Sequence, residues 1–414
     1  MHQAIKIANG RIDADGIPNV EGLEKRVFPR TFLLLIVGGM WAPTTIKSRA
    51  LFACYQLYTV FCFVSVCMLI ITILIDNVLS DDKTMESLVE YAYMLIVFSN
   101  GLVRIINLVS RRDKILRLLQ GNIMLDRWQS LRDDEELAII AESKVSEKLV
   151  LKIWGSLILM NGISNAVNPI IHENPDNTLM FECYSPCDRS VSYCFWMTYS
   201  YQLFGYVIMS VAHLGVDCLI YNIIDQINSH YKIFLNRLLK LPARVREKAR
   251  DDVAAALRYE NNYIKECVAD HHSIYKAAGE LNDIFNELVF IQFISCISLL
   301  CTNIYFLSKQ ELFSPPFIAV FAFLCCALTQ NFFFCLFGNK LSQTGSEIAG
   351  AIFGMDWQEL QKETRRKLLF IMLLTSKGIA LFNNAVVNLS PETFLKLVKV
   401  SYSAFNLLNQ STHK

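Results

Sequence analysis

The segment SPETFLKLVKVSYSAFNLLNQ, residues 390–410, has the beginning and the length of one membrane-spanning helix. Ser390 is a favourable N-cap, Pro391 suits the first helical position, and Glu392 meets the positive end of the helix dipole. A helix from Pro391 to Ser411 would measure about 32 Å, enough to cross a hydrocarbon core of about 30 Å. The sequence therefore predicts a terminal spanning helix that begins at residue 391.

The polar residues of this helix form one stripe. Lys396, Lys399, Ser403, Asn406 and Gln410 recur at steps of three and four, which places them on one face. Such a stripe on a spanning helix must face protein or water rather than lipid. Two interpretations stay open. The stripe either packs on neighbouring helices through hydrogen bonds, or lines an aqueous pore that several chains build together.

Six further runs are long and apolar enough to cross a membrane. Of 414 residues, 53% are hydrophobic and 19% are charged, and the mean hydropathy is +0.33. Soluble proteins carry about 25% charged residues. The six runs are Ala50–Ile75, Leu88–Val103, Ile153–Ile171, Ser190–Val216, Leu288–Ser308 and Leu312–Asn339. The predicted fold class is all-α integral membrane with seven transmembrane helices; Phe32–Val37 is too short to span and is predicted to be interfacial or re-entrant.

The basic residues predict a cytoplasmic N-terminus and an extracellular C-terminus. In this orientation the inside segments hold 33 Lys and Arg residues, whereas the outside segments hold four, together with nine acidic residues. Cytoplasmic loops carry such an excess of positive charge. G-protein-coupled receptors have the opposite orientation, and their D/E-R-Y and NPxxY motifs are absent here. The chain is therefore predicted to be a multi-pass plasma-membrane protein that is not a G-protein-coupled receptor.

The predicted spans and loops divide the chain into six parts. Apolar residues at helical spacing, including Ile227, Phe234 and Leu238, indicate that helices four and five continue beyond the bilayer. The parts are a cytoplasmic N-terminal segment with the interfacial helix (1–49), spans one to four (50–222), cytoplasmic extensions of helices four and five (223–287), spans five and six (288–339), a cytoplasmic extension with a further helix (340–388), and span seven with an extracellular C-terminus (389–414).

No catalytic or metal-binding motif accompanies these spans in the sequence. GxSxG, HExxH and P-loop patterns are absent, and His and Cys do not cluster at metal-ligand spacing. Neither an enzyme, a cofactor nor a metal site is predicted, and the net charge of +1 suggests no nucleic-acid partner. The pair His271–His272 is interpreted as solvated surface.

Several other polar residues receive structural interpretations. Arg104 is interpreted as a side chain that reaches from the end of span two to the interface, and Asp217 as an interfacial acid without a special role. Cys183 and Cys187 lie in the polar stretch FECYSPCDR on the predicted outside, where a disulfide is permitted. Their pairing is a possibility that the sequence alone does not determine.

Five segments resemble the insect odorant receptor family, in the order in which that family has them. The strongest is LSPETFLKLVKVSYSAFNLL, which is similar to the family signature S-x-x-T-F-x-x-(I/L)-(L/V)-K-x-SYS-x-F-x-LL. The others are VGGMWAP (37–43), LGVDCLI (214–220), DIFNELVFIQFISC (283–296) and QNFFFCLFGNKLSQTGSEIAGAIFGMDW (330–357). The co-receptor of the family is longer, with an insertion after span four, and lacks SYS, so the chain resembles a tuning subunit. It departs from the family in its lead-in to the last helix, ALFNNAVVNLS.

The resemblance implies a function and partners. Members are ligand-gated, non-selective cation channels that assemble as heterotetramers with the shared co-receptor in sensory neuron dendrites. Their cytoplasmic extensions form an anchor domain, which here would comprise 223–287 and the helix within 340–388. The terminal helix lines the pore, and a small volatile organic ligand binds in the outer half of the membrane, among spans two, three, four and six.

The resemblance also assigns pore residues. Alignment through Phe405 places the apolar constriction of the closed pore on Leu407 and the polar ring beyond it on Gln410. Lys399, Ser403 and Asn406 would give the ion pathway below the constriction a polar, hydrated lining. A ring of leucines blocks ions by dewetting, and its outward movement opens the path.

Outer-half residues of four spans are the predicted ligand contacts. They form an aromatic-rich apolar set suited to a volatile that binds mainly by burial. They are Tyr91, Met94 and Phe98 on span two, Leu157, Met160 and Asn161 on span three, Phe195, Trp196, Tyr199 and Phe204 on span four, and Phe321 and Leu324 on span six. The alternatives are a gustatory-type ligand-gated channel, whose TYLVVLLQF-like signature is absent, and a transporter, whose inverted repeats and midplane charges are not visible.

Overall fold

Helices form all the regular secondary structure in the described part of the computed structural model. It describes residues 22–79, 85–124, 128, 130–171, 179–375, 379, 381–382 and 389–412, without the side chains of 85–86, 168–171, 251 and 407–412. The helices are α1 (Leu23–Arg26), α2 (Pro29–Val37), α3 (Arg49–Leu79), α4 (Met85–Ser110), α5 (Arg112–Leu118), α6 (Asp134–Ile171), α7 (Ser192–Leu239), α8 (Leu241–Asp251), α9 (Val253–Lys309), α10 (Pro315–Gly354), α11 (Lys362–Thr375) and α12 (Pro391–Thr412). A π turn at Leu119–Ile123 and a 3-10 turn at Trp357–Glu359 complete the set.

Six of the described helices are long and apolar enough to cross a membrane, namely α3, α4, α6, α7, α9 and α10. The helix predicted as the seventh span, α12, is less apolar because of its polar stripe and is not among these six. It begins at Pro391 as predicted, and the Thr393 amide donates to the Ser390 hydroxyl oxygen at 3.2 Å. The prediction of an all-helical membrane fold is confirmed.

Helices α7 and α9 continue far beyond the thickness of a bilayer. With 48 and 57 residues they measure about 72 and 85 Å, against a hydrocarbon core of about 30 Å. Both extensions have the predicted apolar face, and Ile227, Phe234 and Leu238 are fully buried. We call the part of the molecule formed by 130–150, 223–287 and 341–375 the extension bundle.

Charged and aromatic side chains pack inside the extension bundle. Arg237 is buried and donates from Nε to Glu136 at 2.8 Å, and a second carboxylate, that of Asp270, lies 3.4 Å from its Nη1. The interpretation of His271 as solvated surface is wrong: its side chain is buried, with its ring 4.7 Å from that of Tyr275. His272, the next residue, is exposed, since neighbours on a helix point about 100° apart.

The short helix α2, which includes the predicted Phe32–Val37 segment, packs against α7; its nine residues measure about 14 Å, less than half of a hydrocarbon core. The turn that follows it requires a glycine, because Gly39 has a φ of 72° and an added Cβ would lie 3.0 Å from the Cys62 sulfur. Beyond this turn Trp41 is fully buried, with its ring centroid 5.0 Å from that of Phe32. The guanidinium of Arg112, the first residue of α5, lies 5.1 Å from the indole centroid, so the segment after α2 contacts the start of α5.

Candidate functional site

An ion pair lies among α4, α7, α9 and α10, where the sequence predicted two residues at the membrane interface. Arg104 and Asp217 are both fully buried, and the Arg104 guanidinium donates to the Asp217 carboxylate. The interpretations of Arg104 as a side chain that reaches the interface and of Asp217 as an interfacial acid without a role are therefore wrong. The error has a simple cause: the two residues are 113 positions apart, and no local pattern shows that their helices face each other.

A chain of side-chain amides extends from this ion pair. Gln330 donates to the second oxygen of Asp217 at 2.5 Å, and Gln292 donates to the Gln330 oxygen at 2.7 Å. The Gln292 oxygen accepts from Arg104 at 2.6 Å and from Asn100 at 2.8 Å. All five side chains are buried, so the cluster joins four helices through hydrogen bonds that water does not weaken.

A cavity of about 430 Å³ lies between this cluster and the predicted outer side. It is bounded by the beginnings of α4 and α10, the end of α9 and parts of α6 and α7. A second cavity of about 90 Å³ lies deeper and shares wall residues with the first, among them Phe98, Asn161 and Tyr206. We call them the outer cavity and the inner cavity. Asn100, Gln292 and Gln330 line the inner cavity, which therefore ends on the amide chain.

Aromatic rings form much of the wall of the outer cavity. The ring of Tyr93 lies 5.2 Å from that of Phe323 and 6.1 Å from that of Phe306. The Tyr206 hydroxyl donates to the Asn161 side-chain oxygen at 2.5 Å, so these two polar groups of the wall are paired with each other. The outer cavity thus combines aromatic rings with polar side chains, among them Glu90 and Lys309, and a concave site that joins an apolar surface to a few polar groups is the usual form of a small-molecule site.

The segment before α7 covers the outer cavity. Phe181 lines the cavity and packs on Phe98, with ring centroids 5.3 Å apart. Gln202 on α7 holds this segment: it donates to the Phe181 carbonyl at 2.8 Å and to the Cys183 sulfur at 3.0 Å. The described loop is therefore part of the site, which the sequence did not indicate.

The disulfide joins Cys187 to Cys194, and their Cα atoms are 6.0 Å apart. The possible pairing of Cys183 with Cys187 is wrong, because the buried Cys183 is turned towards Gln202 instead. Cys194 lies in the first turn of α7, where seven residues of separation allow the loop to fold back onto the helix. The bond fixes the end of the loop that covers the cavity.

Three of the twelve predicted ligand contacts line the outer cavity, namely Met94, Phe98 and Asn161. The side chains of Met160, Trp196 and Phe321 are about half exposed and point away from the cavity. Tyr91 is buried but donates to Asp76, and Tyr199 donates to the Ala166 carbonyl, both outside the cavity wall. The remaining four, Leu157, Phe195, Phe204 and Leu324, pack against the core without lining either cavity.

The sequence missed a wall that α9 provides. Asn303, Tyr305 and Phe306 line the outer cavity, although span five was not among the spans predicted to surround the ligand. On the predicted spans it missed Tyr93, Tyr206 and Phe323, each one or two residues from a predicted contact or on the next turn. Such small offsets change the face of a helix by 100–200°. Asn303 could have been predicted to face the interior, because a polar residue on an apolar span faces other helices or a cavity rather than lipid.

The polar stripe of α12 is not covered by other parts of the described chain. The helix packs against α9 and α10 through a face that includes the buried Leu397 and Ser401. The side chains of Lys396, Lys399, Ser403 and Asn406 are exposed. The predicted gate residue Leu407 and the polar residue Gln410 lie in the last turns, outside the described side chains.

A family model described as 7tm odorant receptor matches residues 84–402, more than three quarters of the chain. The chain belongs to the insect odorant receptor family. Odorant receptor 67a of Drosophila melanogaster is 22% identical over 345 residues, which cover 80% of this chain and 82% of that protein. Odorant receptor 2a of the same species is 19% identical over 299 residues, covering 71% and 73%.

Solved structures share the fold of this odorant receptor. The insect olfactory receptor OR5 from Machilis hrabei in complex with eugenol superposes with a TM-score of 0.77 at 14% identity, over 94% of this chain and 98% of that one. A second structure of OR5 from Machilis hrabei gives a TM-score of 0.79 at 13% identity, over the same shares. The family match confirms the identification as an odorant receptor, a tuning subunit rather than the co-receptor, and excludes an enzyme.

Proposed function

We propose that this odorant receptor is the ligand-binding subunit of a non-selective cation channel at the plasma membrane of sensory neurons. A small volatile enters the outer and inner cavities, and its binding opens a pore formed with the odorant co-receptor in a heterotetramer. The observation that carries the proposal is the presence in one chain of a cavity among the spanning helices and of an uncovered polar stripe on α12. The first can hold an odorant, and the second needs water or another chain beside it.

Two helices, α9 and α10, connect the cavities to the polar helix α12. Gln292 on α9 and Gln330 on α10 line the inner cavity, and the same two helices pack against α12. A ligand that binds better when α9 and α10 are displaced would therefore shift α12 as well, because a ligand moves an equilibrium by its difference in affinity for the two states. Residues 223–287 and α11 would provide the contacts between subunits.

Co-expression tests the proposed channel. Cells that express this receptor with the co-receptor are expected to pass a cation current when a panel of volatiles, eugenol included, is applied. The same receptor alone is expected to pass none. Odour responses that need a G protein and persist without the co-receptor would contradict the proposal.

The predicted gate has its own test. Leu407→Ala is expected to raise the current without odorant severalfold, because a smaller ring no longer excludes water from the constriction. Leu395→Ala is the matched control: it lies on the same helix about 120° around the axis from Leu407 and should leave the basal current unchanged. A normal basal current in Leu407→Ala, together with an unreactive cysteine at position 407, would place the gate elsewhere.

A further inference from the structure

Helix α6 presents basic and apolar side chains on one exposed face where it leaves the membrane. Val145, Lys148, Leu149 and Lys152 occupy positions i, i+3, i+4 and i+7, so they lie on the same side of the helix. All four are exposed, and the two apolar side chains by more than half. The same face continues into the predicted span Ile153–Ile171. The exposed face of α6 therefore passes without a break from the bilayer to its predicted cytoplasmic surface.

Helix α2 presents a similar face beside it. Arg30, Leu33 and Val37 occupy positions i, i+3 and i+7 and are exposed, the two apolar side chains again by more than half. Helices α2 and α6 both pack against α7, and the Arg30 guanidinium interacts electrostatically with the Glu147 carboxylate of α6. The beginning of α2 therefore lies next to the part of α6 that carries the lysines.

Four cations of these two helices have no partner of opposite charge within ion-pair distance in the described part of the chain. They are Arg30, Lys144, Lys148 and Lys152, and all are exposed. The Glu147 carboxylate interacts electrostatically with three of them and offsets at most one of the four positive charges. An excess of positive charge therefore remains at this surface.

Other basic side chains on the predicted cytoplasmic side find carboxylates within the fold. Arg111 lies 2.5 Å from Glu287, and Lys232 lies 3.0 Å from Glu142. A cation that stays unpaired next to the membrane is instead available to the negative headgroups of the cytoplasmic leaflet.

We infer that the exposed surface where α2 meets α6 binds an anionic phospholipid of the cytoplasmic leaflet. We call it the α2–α6 surface, and its residues are Arg30, Leu33, Lys144, Lys148, Leu149 and Lys152. The cations contact the phosphate-bearing headgroup, and the apolar side chains beside them contact the first methylene groups of the acyl chains. These apolar neighbours favour a lipid over a soluble phosphate, because a soluble anion would leave them exposed to water.

Native mass spectrometry of the full-length receptor tests this site. The protein is purified in a mild detergent, in the assembly that it forms, and is titrated with phosphatidylserine, a phosphatidylinositol bisphosphate or phosphatidylcholine. Both anionic lipids are expected to bind more tightly than phosphatidylcholine, since each cation near the headgroups strengthens binding about fivefold. Soluble inositol trisphosphate should bind more weakly than the lipid with the same headgroup, because it has no acyl chains.

Two lysines locate the bound lipid. Lys148→Gln with Lys152→Gln is expected to raise the Kd of phosphatidylserine about 25-fold and to leave that of phosphatidylcholine unchanged. Lys148→Gln alone should raise it about fivefold, and this milder variant serves if the double variant is recovered poorly. Arg258→Gln with Lys265→Gln is the matched control. It removes the same charge from exposed sites on α9, about 35 Å or more from the predicted beginning of span five, and should leave both Kd values unchanged.

Three results would overturn the lipid site. They are equal binding of phosphatidylserine and phosphatidylcholine to the parent receptor, lysine variants that bind phosphatidylserine as tightly as the control, and a soluble trisphosphate that binds as tightly as its lipid. The titration needs neither an odorant nor a current, so its failure would leave the proposed channel standing. The lack of an odour-evoked current would likewise leave the lipid site standing.

Discussion

Replacing Asp217 by asparagine is expected to destabilise the receptor by about 3–5 kcal/mol, because the charge of Arg104 is then left buried without its counter-ion. Both side chains are fully buried in the structure, so water cannot take over the role of the lost carboxylate. The same change would remove the carboxylate that accepts from the Gln330 amide nitrogen. The orientation of the amides that follow Gln330 would then no longer be fixed by a charge. Thermal denaturation of the solubilised receptor, followed by fluorescence-detected size-exclusion chromatography, measures the loss.

Two further variants make this test specific. Glu142→Gln also neutralises a carboxylate in an ion pair, but Glu142 is 61% exposed and lies 3.0 Å from Lys232, so its effect should stay below about 1 kcal/mol. The double variant Arg104→Gln with Asp217→Asn should recover much of the lost stability, since two neutral amides can bond each other without a buried charge. Equal stability of the Asp217→Asn and Glu142→Gln receptors would show that the ion pair of Arg104 and Asp217 contributes little to the stability of the fold.

Acidification from pH 7 to pH 5 is expected to destabilise the extension bundle by about 2 kcal/mol for each of two buried histidines. Burial, and secondarily the charge of Arg237, lower the pKa of His230 to about 3. Burial and the adjacent His272 lower the pKa of His271 to about 4. Both lie about 20 Å or more beyond the predicted ends of spans four and five. The unfolded chain binds protons below pH 6.5 that the folded chain does not, so stability is lost as the pH falls.

Aromatic substitutions give the controls for this pH dependence. His230 stacks on Trp128 with ring centroids 4.5 Å apart, so His230→Phe keeps the stacking and removes the titrating group. Its loss of stability between pH 7 and pH 5 should be smaller than that of the parent receptor, and the same holds for His271→Phe. His272→Phe changes an exposed ring and should not alter the pH dependence. An unchanged pH dependence in both buried variants would assign the acid sensitivity to other groups.

Local features of the chain were predictable where they depend on neighbouring residues alone. The start of α12 follows from Ser390 and Pro391, whose capping chemistry acts within one turn. The extensions of α7 and α9 follow from apolar residues that continue at helical spacing past the membrane. The short α2 follows from the length of its apolar run.

The site was less predictable, because it depends on the rotation of each helix about its axis. Helix α3 is apolar nearly all round and gives no indication of its inward face. On α4, Met94 and Phe98 face the cavity, whereas Tyr91 turns to Asp76. The partner of Cys187 was missed because Cys194 belongs to a helix whose position relative to the loop is a tertiary property.

The sequence by itself determined the class of this protein, the number and length of its membrane helices, their orientation and the polar stripe of α12. These follow from sums of hydropathy and charge along the chain and from spacing within one helix. Only the tertiary structure decided that Arg104 and Asp217 form a pair, that Asn100 donates to Gln292, and that Phe181 covers the outer cavity. Those contacts join residues far apart in the chain, and their geometry arises from the packing of whole helices. The stripe that begins at Lys396 is therefore uncovered, and the buried polar cluster lies instead among α4, α7, α9 and α10.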